Sequence, residues 1–134
     1  MGYIKRKTKA EKLLPMTPLK VKQKLQSVLI QIKDQHWNHT GFEHKYLGDF
    51  YDEFTPLIDS FIETYAGKYG REVFQGYLSI DSFTGDDWRK ILTDLMVYLN
   101  TDINIIVDPM DTDLQNIIAD MKQLVNHTFY FLPA

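Results

Sequence analysis

The sequence predicts an all-α protein, one bundle of four helices with a long crossover between the second and third. Apolar residues recur at spacings of three and four along four separate stretches, the period of a helix buried on one face. Each stretch is bounded by a capping or breaking residue. At 134 residues the chain has the size of one domain, large enough to bury roughly two-thirds of its surface.

Residues 1–16 lack apolar periodicity and end near Pro15, so they read as a basic, flexible or partner-ordered arm ahead of a helical body at 17–134. Thr17 and Pro18 are N-cap and first residue of a helix striped by Val21, Leu25, Val28, Leu29 and Ile32, which Gly41 breaks. The first helix is expected over about 17–39. The second, over about 42–66, carries Tyr46, Leu47, Phe50, Phe54, Leu57, Ile58, Phe61, Ile62 and Tyr65 inward. Pro56 removes a backbone donor inside it and is expected to bend it, and Gly70 is the expected C-cap. Residues 71–83 form the crossover. Thr84 caps a third helix over about 84–107, with Asp86 and Asp87 in its first turn and a stripe from Trp88 to Ile103 and Ile106. Asp108-Pro109 ends it. Asp111 or Thr112 then caps a fourth helix over about 111–132, striped by Leu114, Ile117, Ile118, Met121, Leu124, Val125 and Phe129.

Composition narrows the function classes. The absence of cysteine excludes a disulfide scaffold and a thiolate metal site, and is compatible with a cytoplasmic location. No apolar run approaches the length of a membrane span, and the N-terminus lacks a signal-peptide core, so no membrane partner is expected. No phosphate-binding loop or nucleophile elbow is present. The net charge of −3 conceals an asymmetry: residues 1–24 hold eight Lys/Arg against the single acid Glu11, while the rest is strongly acidic. Lys5, Arg6, Lys7, Lys9 and Lys12 are therefore candidate contacts to DNA or RNA phosphates. The same arm could instead dock on an acidic neighbouring subunit or partner, or serve as a solubilising tail.

Residues 35–65 are the most informative stretch. It opens with His36, His39 and His44 and ends with Asp59 and Glu63, one helical turn apart on one face. His44 lies 15 and 19 residues before that pair, about four and five turns at 3.6 residues each. A mixed His–carboxylate set suits iron, manganese or zinc rather than calcium. The bland reading is an ordinary solvated helix face. Trp37 and Trp88 read as core or interface anchors.

The string His36-Trp37-Asn38 with Gly41, followed by His44, Tyr51, Asp59 and Glu63, resembles the Dps-type mini-ferritins, and also the ferritin-like proteins of unassigned function found in tailed bacteriophages. The likeness is spread over about residues 17–132, with residues 111–132 similar to that family's last helix. The resemblance implies a ferritin-like four-helix bundle running up, down, down, up, and homo-oligomers from a dimer to a twelve-subunit shell. It implies iron held between subunits, with His36 and His44 of one chain facing Asp59 and Glu63 of another. DNA binding through the arm and a bacterial cytoplasmic or phage setting are also implied. The alternative is a non-catalytic ferritin-like structural or interaction protein with no active metal site. The spare aromatic residues Phe42, Tyr46, Phe50 and Tyr51 on the second helix also suggest association. No Glu-x-x-His pair is present, which argues against a di-iron centre inside one bundle. Two departures stand out. Gly48 occupies the position of a metal-binding Asp, and the linker between His36 and His44 is four residues shorter than usual. On this reading His39 is exposed, and Gly48→Asp should speed iron oxidation.

Overall fold

The computed structural model describes residues 16–76 and 85–133. Its elements are α1 (Pro18–Trp37), α2 (Gly41–Tyr69), a 3₁₀ turn (Arg71–Phe74), α3 (Trp88–Asn100), a second 3₁₀ turn (Asp102–Ile105) and α4 (Thr112–Phe131). The protein is all-α, with four α-helices and no strand among the described residues.

Thr17 caps α1, its hydroxyl accepting the Lys20 amide at 3.2 Å, and Pro18 takes the first turn, where its missing donor costs nothing. Met16, expected in the arm, packs on the core instead and accepts a hydrogen bond from Tyr98 at 3.4 Å. Gly41 does more than end α1. At φ +68° it is the first residue of α2. α2 runs unbroken through Pro56 and continues three residues past the expected end, stopping at Gly70 with φ +98°. At 29 residues it is about 43 Å long and spans the molecule.

The expected Thr84 cap lies outside the described residues; α3 begins at Trp88, where the Asp87 carboxylate accepts the Arg89 amide at 2.5 Å. α3 also ends earlier than its stripe suggests. The side chains of Asn100 and Thr101 bond back to the carbonyls of Met96 and Val97 at 2.9 and 2.7 Å, and Thr101 leaves the helical region at φ −126°, ψ −82°. Such side-chain competition for backbone groups terminates helices. Ile103 and Val107 still reach the core, but from the 3₁₀ turn and the loop beyond it. Asp111 occupies the N-cap of α4 without capping it, because its carboxylate is taken by Tyr69 and Lys68.

Contacts between elements set the packing order. The start of α2 meets the end of α4 where Tyr46 stacks on Phe131 at 4.8 Å, and their other ends meet where Lys68 reaches Asp113 at 2.7 Å. α1 and α3 cross-link where Gln35 Oε1 accepts the Trp88 amide at 3.0 Å, and again at Met16–Tyr98. Lys33–Tyr51 holds α1 alongside α2, Lys22 Nζ donates to the Phe74 carbonyl in the 3₁₀ turn after α2, and Trp88 meets Phe129 to join α3 to α4. Each neighbouring pair is antiparallel, α1 and α4 lie on one diagonal, and α2 and α3 on the other. The enclosed core includes Leu25, Ile32, Phe50, Phe54, Phe61, Trp88, Leu95 and Leu114, all fully buried. Each such side chain contributes about 1.5–3 kcal/mol by leaving water. No helix among the described residues is long and apolar enough to cross a membrane.

Where α2 ends and α4 begins, the junction is electrostatic. A hydrogen bond from Tyr69, then Lys68, holds the Asp111 carboxyl below the usual carboxylate range, and Lys68 does the same for Asp113. A depressed carboxyl stabilises the fold above its unfolded value, and that contribution is lost as pH falls through the folded value. Amide exchange of residues 111–113 is therefore expected to stay constant from about pH 5 to about pH 8, after correction for intrinsic rates, and to rise below about pH 4.

Candidate functional site

The last carbonyls of a helix have no partner within it, and at the end of α1 histidines supply the missing donors. The Asn38 amide takes the carbonyls of Asp34 and Gln35, both at 3.1 Å. His39 Nδ1–H donates to Gln35 O at 2.7 Å, and His44 Nδ1–H, from the first turn of α2, donates to His36 O at 2.8 Å. His36 returns the contact, its Nδ1–H donating to His44 O at 2.5 Å. The two imidazoles stack with centroids 3.8 Å apart and planes inclined by 22°. A reciprocal histidine pair thus staples α1 to α2 across the short turn of residues 38–40.

Gly48 makes that staple possible. It lies one turn after His44 on the same face, and a Cβ there would stand 2.8 Å from His36 Cε1 and 3.0 Å from Nδ1. The departure that reads in sequence as a lost metal ligand is the clearance required by the His36 ring. An aspartate at 48 would displace the His36 ring from its stack on His44.

His39, expected to be exposed, is half-buried. Its Nε2 lies 3.1 Å from Glu43 Oε2, the same oxygen that accepts from Trp88 Nε1 at 3.4 Å. With the Gln35–Trp88 bond, this network ties α1, α2 and α3 together around a fully buried indole. Of the two tryptophans expected as core or interface anchors, Trp88 lies in the core and Trp37 is 66% exposed on the surface. Lys33 sits between Trp37 and Tyr51, 5.5 and 4.4 Å from their rings, and bonds the Tyr51 hydroxyl at 3.3 Å. These groups, with the histidine pair, Asp49 and Asp52, line an open cleft of ≈ 480 Å³.

Asp59 and Glu63 stand exposed on α2, about 22 and 28 Å along the helix from His44 at 1.5 Å per residue. One chain therefore does not bring them to the histidines, and no group of three His, Asp or Glu suited to a metal forms among the described residues. The imidazole pair itself constrains any shared ion. A ring nitrogen offers its lone pair in the ring plane, and metal bonds are about 2 Å long. Planes stacked 3.8 Å apart and inclined by 22° do not converge within that distance, so to hold one ion the rings would have to leave the stack. Lys5, Arg6, Lys7, Lys9 and Lys12 lie outside the described residues.

Three residues of this region escape a sequence reading. Gln35 and Glu43 carry no signal, since their partner Trp88 is distant in sequence. Tyr130 has one in the run Phe129-Tyr130-Phe131, because three consecutive aromatics cannot all face one core.

A model of a family of unknown function, DUF5856, matches residues 36–132, from the first histidine of the staple to the end of α4. Comparison with curated proteins yields no match, and comparison with solved structures yields none either. The matched residues cover most of the chain, and the chain belongs to the DUF5856 family.

Proposed function

We propose that the chain is a non-catalytic helical interaction module on a ferritin-like plan, in which the histidines hold the α1–α2 hairpin and the exposed surface meets a partner. The observation that carries this reading is the reciprocal His36–His44 bond pair, which uses both rings to join two helices. The ferritin-like plan is supported by the antiparallel neighbours and the two diagonals, which give the order up, down, down, up. The third helix, at 13 residues, is short for such a bundle.

A second reading is favoured by one specific arrangement. Asp59 and Glu63 are exposed one turn apart, and Nε2 of each stapled imidazole is not used by the staple. A histidine whose Nδ1–H is fixed on a carbonyl is oriented as metal-ligating histidines are. On this reading iron is the substrate and binds between copies, at His36 or His44 of one chain and Asp59 and Glu63 of another. Nucleic-acid contact through Lys5, Arg6, Lys7, Lys9 and Lys12 is compatible with either reading, and would fall steeply with salt.

The experiment is Fe(II) oxidation in air, run on the parent, an Asp59→Ala/Glu63→Ala variant and a chain lacking residues 2–14. The interaction-module reading expects all three to oxidise iron no faster than buffer. Fast oxidation lost in the double variant would replace it with the iron reading. Salt-sensitive DNA retardation by the parent, lost in the truncated chain, would place nucleic acid among the partners.

A further inference from the structure

Where α2 begins and α4 ends, four aromatic rings form a row across the surface. Phe42 stacks on Tyr46 with centroids 6.4 Å apart, Tyr46 on Phe131 at 4.8 Å, and Phe131 on Tyr130 at 5.2 Å. Phe42 is 76% exposed, Tyr130 72% and Phe131 55%. At about 200 Å² per aromatic side chain, these three leave on the order of 400 Å² of ring surface in water. The largest apolar patch of a typical monomer is about 300–600 Å² and is often functional. A stable interface buries about 800 Å² per partner, with an apolar centre and a polar rim, so the row has the extent of such a centre.

The rim indicates the occupant. The groove between Phe42 and Phe131 is edged by Glu43 on α2, 3.1 Å from His39, and by Arg89 on α3, which pairs with Asp87 at 3.1 Å, so the rim carries both signs in balance. A balanced rim offers no net field to a partner of a single charge sign. An isologous interface instead needs a patch complementary to itself. A second copy turned through a two-fold axis can set each rim charge against its opposite. The rings are already stacked on one another, so little side-chain freedom remains to be lost on binding.

We propose that the row Phe42–Tyr46–Phe131–Tyr130 is the centre of a two-fold interface, and that the partner of this module is a second copy of the same chain. The inference rests on the interaction-module reading and names its partner.

The test is the solution mass of the full chain at micromolar concentration, by sedimentation and light scattering. The parent is compared with Phe42→Ser/Tyr130→Ser, which alters only exposed rings, and circular dichroism verifies that helix content is kept. The expected result is a dimeric parent and a folded variant whose dissociation constant rises about a hundredfold, as for loss of central aromatic anchors. A dimer of unchanged affinity in the variant would overturn the aromatic interface and leave the module reading intact. A monomeric parent would overturn the self-association proposal, while the iron assay decides the module reading separately.

Discussion

Trp88→Ala is expected to cost about 3–5 kcal/mol of stability, the range for removing a fully buried large aromatic. The indole is fully buried, packs 5.8 Å from Phe129 across the α3–α4 contact, and donates Nε1–H to Glu43. Its loss opens a cavity at the point where all four helices converge and leaves the Glu43–His39 pair without one of its donors. For a domain of this size each kcal/mol moves the melting temperature by roughly 2–8 °C, so a drop of order ten degrees or more is expected in a thermal scan. Trp88→Phe keeps most of the ring volume and is expected to cost less than half as much. A loss below about 1 kcal/mol for the alanine variant would show that this end of the bundle is not packed as described.

The second large effect is a change of sign at Gly48. In a helix interior, exchanging glycine for alanine normally stabilises by about 1 kcal/mol. Here the added Cβ meets the His36 ring at 2.8 Å, and overpacking of this kind costs about 1–3 kcal/mol. Gly48→Ala is therefore expected to destabilise the parent and to stabilise a His36→Ala variant, with the difference read as a coupling energy in urea unfolding of all four proteins. Gly48→Asp is expected to be worse than Gly48→Ala in the parent. Equal effects of Gly48→Ala in both backgrounds would mean that the ring does not lie over this glycine.

The four helices are legible in the sequence because burial imposes a period, and stripes such as Val21–Leu25–Val28–Ile32 record it directly. Boundaries set by local side-chain bonding are not. The apolar stripe of α3 continues to Ile106, yet Asn100 and Thr101 end the helix by bonding to carbonyls one turn back. The same limit governs the site. The residue types at 36, 39 and 44 announce polar chemistry, but whether imidazoles face a metal or a carbonyl depends on the turn at 38–40, which no periodicity specifies. Gly48 is the clearest case. Its role comes from a ring on another helix, and a reading along one helix finds only a missing side chain. Asp59 and Glu63 share a helix with His44, but spacing arithmetic fixes direction around the axis and leaves about 22 Å along it. The exposed ring of Tyr130 was within reach of sequence, since its neighbours Phe129 and Phe131 also had to find a place.

The central claim is that His36 and His44 serve as a staple rather than as ligands of a shared ion, and long-range ¹⁵N NMR of their imidazoles tests it most directly. The spectrum reports which nitrogen of each ring carries the proton, and zinc serves as a diamagnetic stand-in for iron. At mildly alkaline pH both rings are expected to carry the proton on Nδ1, with resonances unmoved by a stoichiometric amount of zinc. Protons on Nε2 would contradict the staple, and Nε2 resonances of both rings displaced together by one equivalent of zinc would assign the two rings to a shared metal centre.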